Sequence, residues 1–279
     1  MTLTYKEYSP SLLLQPYVDN YTYMVFDGHC EEESPIQRCL PLGMTQIIIH
    51  VNQVTSSALT NGEWQRLPNA SFIGIHRDPV SWKTKGRTVM FGITMKPEAV
   101  MQLFRVPVSD LFNAHTDLNS FLGRKTELLT GRMYGVECPQ TLINISEQFM
   151  LHQLNSMNAR RNYVDDATSL IRVSKGTISI DELSRQLYVS ERKLQRGFKD
   201  ILGTNPKMYT RIIRFRNAYE YLQHNTKDDI SWADISYHFG YADQAHFIRE
   251  FREFAGENPT RVIDNKPAYY QLNEELVYG

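Results

Sequence analysis

The chain repeats itself near its C-terminus. Leu194, Arg196, Phe198, Gly203, Asn205 and Pro206 recur 53 positions later as Phe247, Arg249, Phe251, Gly256, Asn258 and Pro259. A pattern returning at a fixed offset means that one supersecondary unit is built more than once. Each copy has a helix-capping residue four positions before its first apolar anchor, Ser190 and Asp243, suited to the free N–H groups of a helix start. A shorter helical stretch precedes each, Asp181–Leu187 and Ala233–Phe239. Ser179 and Glu182 form a capping-box pattern before the first stretch, and Ser231 with Asp234 a weaker one before the second. Between the copies, Asn205 and Pro206 supply a cap and a first helical residue. They open a long helix whose apolar stripe runs through Ile212, Phe215, Tyr219 and Leu222. Two short helices joined by a tight turn, twice around a connecting helix, make two helix-turn-helix units.

Charge decides what such a repeat could do. The whole chain carries a formal net charge of −1, but the segment from Arg185 to Arg216 is strongly basic. Arg185, Arg192, Lys193, Arg196, Lys199, Lys207, Arg211, Arg214 and Arg216 face only Glu191 and Asp200, a local surplus of seven. Arg192, Gln195, Arg196 and Lys199 are spaced to share one helix face. Arg and Gln can make paired hydrogen bonds to guanine and adenine edges in the major groove. Leu194, Phe198, Phe247 and Phe251 read as core. The second unit is acidic, with Asp228, Asp229, Asp234, Asp243, Glu250, Glu253 and Glu257 against Arg249 and Arg252.

The N-terminal half has another character. Tyr21–Phe26, Gln46–Val51, Ser71–Ile75 and Thr88–Met95 read as strands, punctuated by turns such as Asp27-Gly28, Asn61-Gly62 and Lys85-Gly86. Helical patterns follow from Pro97, over Val108–Phe112 and Leu118–Leu129, and through Leu142, Ile145, Phe149 and His152. The expected fold is α+β with two domains. A β-barrel with following helices precedes an all-α domain of two helix-turn-helix units joined by a long helix. The expected boundaries are 1–130 for a β-rich sensor, 131–162 for a helical dimerisation segment and linker, 163–264 for the DNA-binding part and 265–279 for a tail. The polar stretch Asn155–Asn162 is the expected linker. The segment from Tyr163 is expected to fold alone, and Leu142–Leu154 to offer a dimer contact unless its stripe packs on its own barrel.

Ile178–Ile263 resembles the DNA-binding domain of AraC/XylS-type transcription regulators. The resemblance rests on Leu183, Ser190, Leu194, Arg196, Phe198, Gly203 and Pro206. It continues through Arg216, Ala218, Ile235, Phe239-Gly240-Tyr241, Asp243, Phe247, Arg249, Phe251, Gly256 and Pro259. It implies recognition helices in successive major grooves, with Arg192, Gln195, Arg196 and Lys199 reading DNA in the first unit. Gln244, His246 and Arg249 take that role in the second, and the helix starts at Ser179 and Ser231 hold phosphates. Three departures stand out: Tyr188 replaces a turn glycine, Ser236 replaces an alanine, and the second unit is acidic. Leu40-Pro41-Leu42-Gly43, Gly74-Ile75-His76-Arg77 and Phe91-Gly92-Ile93 resemble the cupin-like sensor domains of the same regulators.

The function expected is therefore sequence-specific transcription regulation responsive to a small-molecule effector, without catalysis, cofactor or metal. The alternative is a DNA-recruited enzyme or a redox sensor using the barrel. His29, His50 and His76 lie in the β-rich half, but no H-x-H pair occurs. The three cysteines, Cys30, Cys39 and Cys138, form no CxxC pattern, so Cys30 and Cys39 remain the redox candidates. Tyr21, Tyr23, Phe26, Trp64, Phe72, Trp82 and Phe91 read mostly as core. No run of about 18 apolar residues and no leader-like N-terminus occurs, which points to a cytoplasmic protein. The expected partners are double-stranded DNA, RNA polymerase, an effector lodged in a largely apolar pocket, and a second copy of the chain held through the N-terminal region.

Overall fold

A computed structural model describes residues 2–155, 161–225, 231–264 and 276–277. Its strands are β1 (Thr2–Tyr8), β2 (Val18–Asp27), β3 (Gln37–Cys39), β4 (Thr45–His50), β5 (Ser57–Thr60), β6 (Glu63–Arg66), β7 (Ala70–Ile73), β8 (Val80–Lys83) and β9 (Thr88–Met95). Next come α1 (Pro97–Phe104), a 3-10 turn at Val108–Leu111, β10 (His115–Asp117), α2 (Asn119–Leu122), α3 (Arg124–Met133) and α4 (Pro139–Asn155). The helical part comprises α5 (Tyr163–Val173), α6 (Ile180–Gln186), α7 (Glu191–Leu202), α8 (Pro206–His224), α9 (Trp232–His238), α10 (Gln244–Ala255) and α11 (Pro259–Asp264), with a short β11 (Leu276–Val277). Residues 156–160 of the expected linker, most of the tail, and Asp228 and Asp229 lie outside the described residues.

Two sheets form the N-terminal half, one in the order β10-β7-β4-β9-β2-β1-β11 and one in the order β3-β8-β5-β6. Met24, Phe26, Ile48 and Met90 of the first meet Ala58 and Trp82 of the second, with the Phe26 and Trp82 rings edge-on at 5.3 Å. The opposite face of the large sheet carries helices: Phe72 meets Phe104 of α1, which stacks at 6.1 Å on Phe149 of α4. All eight residues of β9 are therefore buried, matching its nearly unbroken apolar sequence. The Asn61-Gly62 turn joins β5 to β6 with both residues at positive φ, the geometry of a tight hairpin.

Several expectations change here. β1, β3, β5, β6, β8 and β10 are strands that the sequence did not announce, mostly three or four residues long. The stretch Leu118–Leu129 is broken at Gly123 into α2 and α3. Trp64 is exposed on β6, with the Lys83 ammonium 5.0 Å over its ring. Of the stripe Leu142, Ile145, Phe149 and His152 on α4, Leu142 and Ile145 are buried on their own domain, Phe149 is half-buried and His152 is exposed.

The repeat folds as two helix-turn-helix units, α6–α7 and α9–α10, around α8. Ser179, Ser190, Asn205, Ser231 and Asp243 all cap their helices through side-chain oxygens. The Ser179 box is half-formed, because the Glu182 carboxylate binds Arg185 and Gln186. A complete box occurs at Asn162 and Asp165, starting α5. The two turns differ by one residue: Tyr188 lies two positions before Ser190, and its counterpart Gly240 three before Asp243. Both adopt positive φ, +54° and +71°. Ser236 is buried like Ser184, and its hydroxyl donates to the Trp232 carbonyl at 2.7 Å, so a small residue is what the site needs.

Tyr188 is almost fully exposed and gains nothing from its ring. The left-handed conformation costs a residue with a side chain about 1–2 kcal/mol, of which glycine's greater unfolded freedom takes back about 0.5–1. Tyr188→Gly is expected to stabilise the protein by about 0.5 kcal/mol, read as a higher urea midpoint at unchanged slope. A lower midpoint would refute the strain.

The two halves share one apolar core running from β4 and β9 to α10. Gly43 lies against α8, where a Cβ would stand 2.8 Å from Ile213 Cδ1. Gly203, ending α7, lies against Ser109 and Phe112. Ion pairs cross the same seam: Arg172–Glu98, Arg216–Asp19 at 2.9 Å, Arg38–Glu257 at 2.5 Å and Arg77–Glu253 at 3.3 Å. A fragment starting at Tyr163 would expose that seam.

Candidate DNA-binding surface and barrel cavity

In α7, Leu194, Gly197, Phe198 and Leu202 face the core, so Arg192, Gln195, Arg196 and Lys199 face water. Gly197 permits the close packing; a Cβ there would come within 2.3 Å of the Tyr163 hydroxyl. The Arg196 guanidinium is 3.6 Å from Asp200 with its side chain 85% exposed, which leaves it available. Lys199 reaches the Gly203 carbonyl at 3.3 Å.

In α10, Gln244 and Arg249 are exposed, and Arg249 has no ion pair among the described residues. His246 is half-buried. Its Nδ1 accepts the Ala242 N–H at 3.2 Å, its Nε2 is 3.6 Å from Glu250, and its ring stands against Tyr241. At the positions of Arg192 and Gln195, α10 carries Ala245 and Ile248.

The charge surplus read from the sequence is partly spent inside the fold. Glu250, 3% exposed, accepts from Arg211 Nε at 2.8 Å and Arg214 Nη2 at 3.0 Å. Arg211 also binds Glu253 at 2.6 Å, and that contact holds the Glu253 carboxyl below its ordinary range. Arg185 is taken up by Asp181 and Glu182. Glu250, Glu253 and Glu257 of the second unit are thus paired, and α7 keeps Arg192, Lys193, Arg196 and Lys199 exposed. Ser179 and Ser231 cap α6 and α9, and each of these helices carries a carboxylate in its first turn, which opposes a phosphate arriving there.

A cavity of about 60 Å³ lies between the large sheet and α8, lined by Glu7, Asn20, Thr22, Ile48, His76, Arg216 and Tyr219 among others. A second lobe of about 30 Å³, toward the small sheet, shares Cys39, Gln46, Ile48 and Ile73 with it. Strand register explains the lining: Glu7, Thr22, Gly92, Ile48 and Ser71 are direct neighbours across β1, β2, β9, β4 and β7, so they share one sheet face. Sequence reasoning missed this polar row because nothing local links Glu7 to Ser71. Burial pushes the Cys39 thiol up to about 12, which keeps it from acting as a thiolate. Cys30 and Cys138 are exposed. Among the described residues no three His, Cys, Asp or Glu side chains form a metal cluster. No helix among them is long and apolar enough to cross a membrane.

Residues 183–265 match a family described as "Helix-turn-helix domain", and residues 6–117 match "Domain of unknown function (DUF6597)". The HTH-type transcriptional activator RhaS of Escherichia coli O157:H7 is 29% identical over 94 residues, 34% of this chain and 33% of RhaS. The chain thus spans about a third of the length of that relative. The "Probable transcription factor PqrA" of Proteus vulgaris is 33% identical over 88 residues, 32% of this chain and 70% of PqrA. A crystal structure of ToxT from Vibrio cholerae aligns with 88% of this chain and 98% of its own at 10% identity, with a TM-score of 0.48.

Proposed function

Because the chain belongs to the AraC-type family of helix-turn-helix transcription regulators, we propose that it binds specific DNA sites as an effector-responsive regulator and is not an enzyme. The exposed quartet Arg192, Gln195, Arg196 and Lys199 on α7 carries this reading. Arg192, Gln195 and Arg196 read base edges, and Lys199 adds phosphate attraction. In α10, Gln244 and Arg249 read the second site; His246 supports the turn instead. The backbone at Ser179 and Ser231 approaches phosphates only weakly, given the acids beside it.

Arg216 and Tyr219 of α8 line the barrel cavity, so a ligand there touches both halves and favours one arrangement of them over another. Residues 1–130 form the sensing part, 163–264 the DNA-binding part, and 131–162 the connection between them. The protein works in the cytoplasm with RNA polymerase, as a dimer held through its N-terminal region. Burial of Cys39 speaks against a redox switch at that position.

The two units contribute unequally, since Ala245 and Ile248 cannot donate hydrogen bonds to bases. Arg192→Ala or Arg196→Ala is expected to cost about 1–3 kcal/mol of binding and to relax preference at one base pair. Arg249→Ala is expected to cost less, about 1 kcal/mol or under. Binding isotherms on selected DNA at one fixed salt concentration check this; an Arg249→Ala loss matching that of Arg196→Ala would overturn the asymmetry.

A further inference from the structure

The barrel cavity has a chemical preference that its lining residues make explicit. Glu7 is 3% exposed on β1. Its carboxylate accepts from the Tyr5 hydroxyl at 2.5 Å and from Asn20 Nδ2 at 3.2 Å. Two more carboxylates lie near it, Asp19 and Glu220, against one guanidinium, that of Arg216. Arg216 is already shared, 2.9 Å from Asp19 and 2.6 Å from Glu220. Of the charged side chains that line the cavity, two are carboxylates, Glu7 and Asp19, against one cation, Arg216; Lys96 acts on Asp19 from outside the lining. Burial accordingly pushes the Glu7 carboxyl above its ordinary range.

The unfilled polar atoms point the same way. Asn20 Oδ1, His76 Nε2 and Ser71 Oγ are buried without a hydrogen-bond partner. Ser71 is 1% exposed and lines the inner lobe. His76 is pushed down to about 4 by burial and bonds the Ala114 backbone through its ring. It is therefore neutral near pH 7, and its free Nε2 is an acceptor. Buried polar atoms left unpaired carry a desolvation cost that a matching ligand removes. What they lack is mainly a donor. Around them Met24, Leu40, Leu42, Met44, Ile48 and Ile73 supply apolar wall.

We propose that the cavity takes a small primary alkylammonium ligand. Its head group pairs with Glu7 and donates to Asn20 Oδ1, and a chain of three or four carbons lies along Ile48 and Ile73 toward Ser71. The ammonium supplies the missing charge as a charge-assisted hydrogen bond, and the two small lobes limit the chain length. This deepens the proposed effector response and rests on the cavity being the effector site.

The test uses the full chain and three probes of one shape and different charge: n-butylammonium, butan-1-ol and butyrate. Calorimetric titration is expected to show millimolar binding of butylammonium, at least tenfold weaker binding of butanol, and none of butyrate. Glu7→Gln is expected to weaken butylammonium at least tenfold and to leave butanol unchanged. If Glu7→Gln does not fold, Asn20→Ala serves instead, with a several-fold loss expected for the amine alone. Butanol or butyrate binding as tightly as the amine, or amine binding indifferent to both substitutions, would overturn the alkylammonium assignment while leaving the cavity as the effector site. No binding of any probe would overturn both.

Discussion

Glu98→Ala is expected to destabilise the protein by about 3–5 kcal/mol, because it strands a buried cation. Glu98, in the first turn of α1, is 6% exposed and binds Arg172 of α5 through two hydrogen bonds. Arg172 also donates to the Tyr209 hydroxyl of α8 at 3.1 Å, and Tyr209 is wholly buried. Without Glu98 the guanidinium keeps one neutral partner in a site with little water. The pair joins the barrel side to the DNA-binding side, so the loss falls on their union as well as on each part. Glu98→Ala with Arg172→Met should regain most of the loss, since apolar replacement of a whole buried pair is often neutral. Urea unfolding of the single and double variants checks this. A single-variant cost below about 1 kcal/mol, the value of an exposed pair, would show that water reaches the site.

Acid is expected to weaken the protein by several kcal/mol between pH 6.5 and 4. His50 and His76 are both pushed down to about 4, chiefly by burial, from 6.5. Between those values the unfolded chain binds protons that the folded chain refuses. The stability they contribute is complete above pH 6.5 and is lost as pH falls toward 4. A shift of this size is worth about 3 kcal/mol per histidine. Burial lowers His115 as well. Glu7 and Asp165 work the other way: burial raises both carboxyls, so their share is lost as pH rises. Urea midpoints measured across this range report the balance, and His76→Gln should flatten the curve. A midpoint constant from pH 7 to 4.5 would mean that the histidines protonate in place.

The helical half was legible because its signals are local. Caps at Ser179, Ser190, Asn205, Ser231 and Asp243 stand beside the helices they start, and the 53-residue repeat gives each signal twice. The barrel was legible in β2, β4, β7 and β9, whose β-branched and aromatic runs stand out in the sequence. β3, β5, β6 and β8 are short, and their identity comes from pairing partners, not from their own composition. The Glu98–Arg172 and Asp19–Arg216 pairs join residues 74 and 197 positions apart, a separation at which charge patterning carries no information. The same blindness made α8 read as a basic strip, when Arg211, Arg214 and Arg216 are internal ties.

Those ties have a mechanical meaning. With Glu250 gripping Arg211 and Arg214, α10 cannot swivel on α8 without baring a buried carboxylate and two guanidinium groups. On the proposed reading, in which α7 and α10 both enter the major groove, this tie holds the second recognition helix at a fixed pitch to α8. Two major-groove visits on one side of a duplex lie about 34–36 Å apart, one helical turn. A spacer one base pair longer moves the second site out of phase as well as away. A protein so tied would not follow it, and the elastic cost of restoring register would fall on the DNA. Sites would then be sorted by the stiffness of the bases between the contacts as well as by the bases touched.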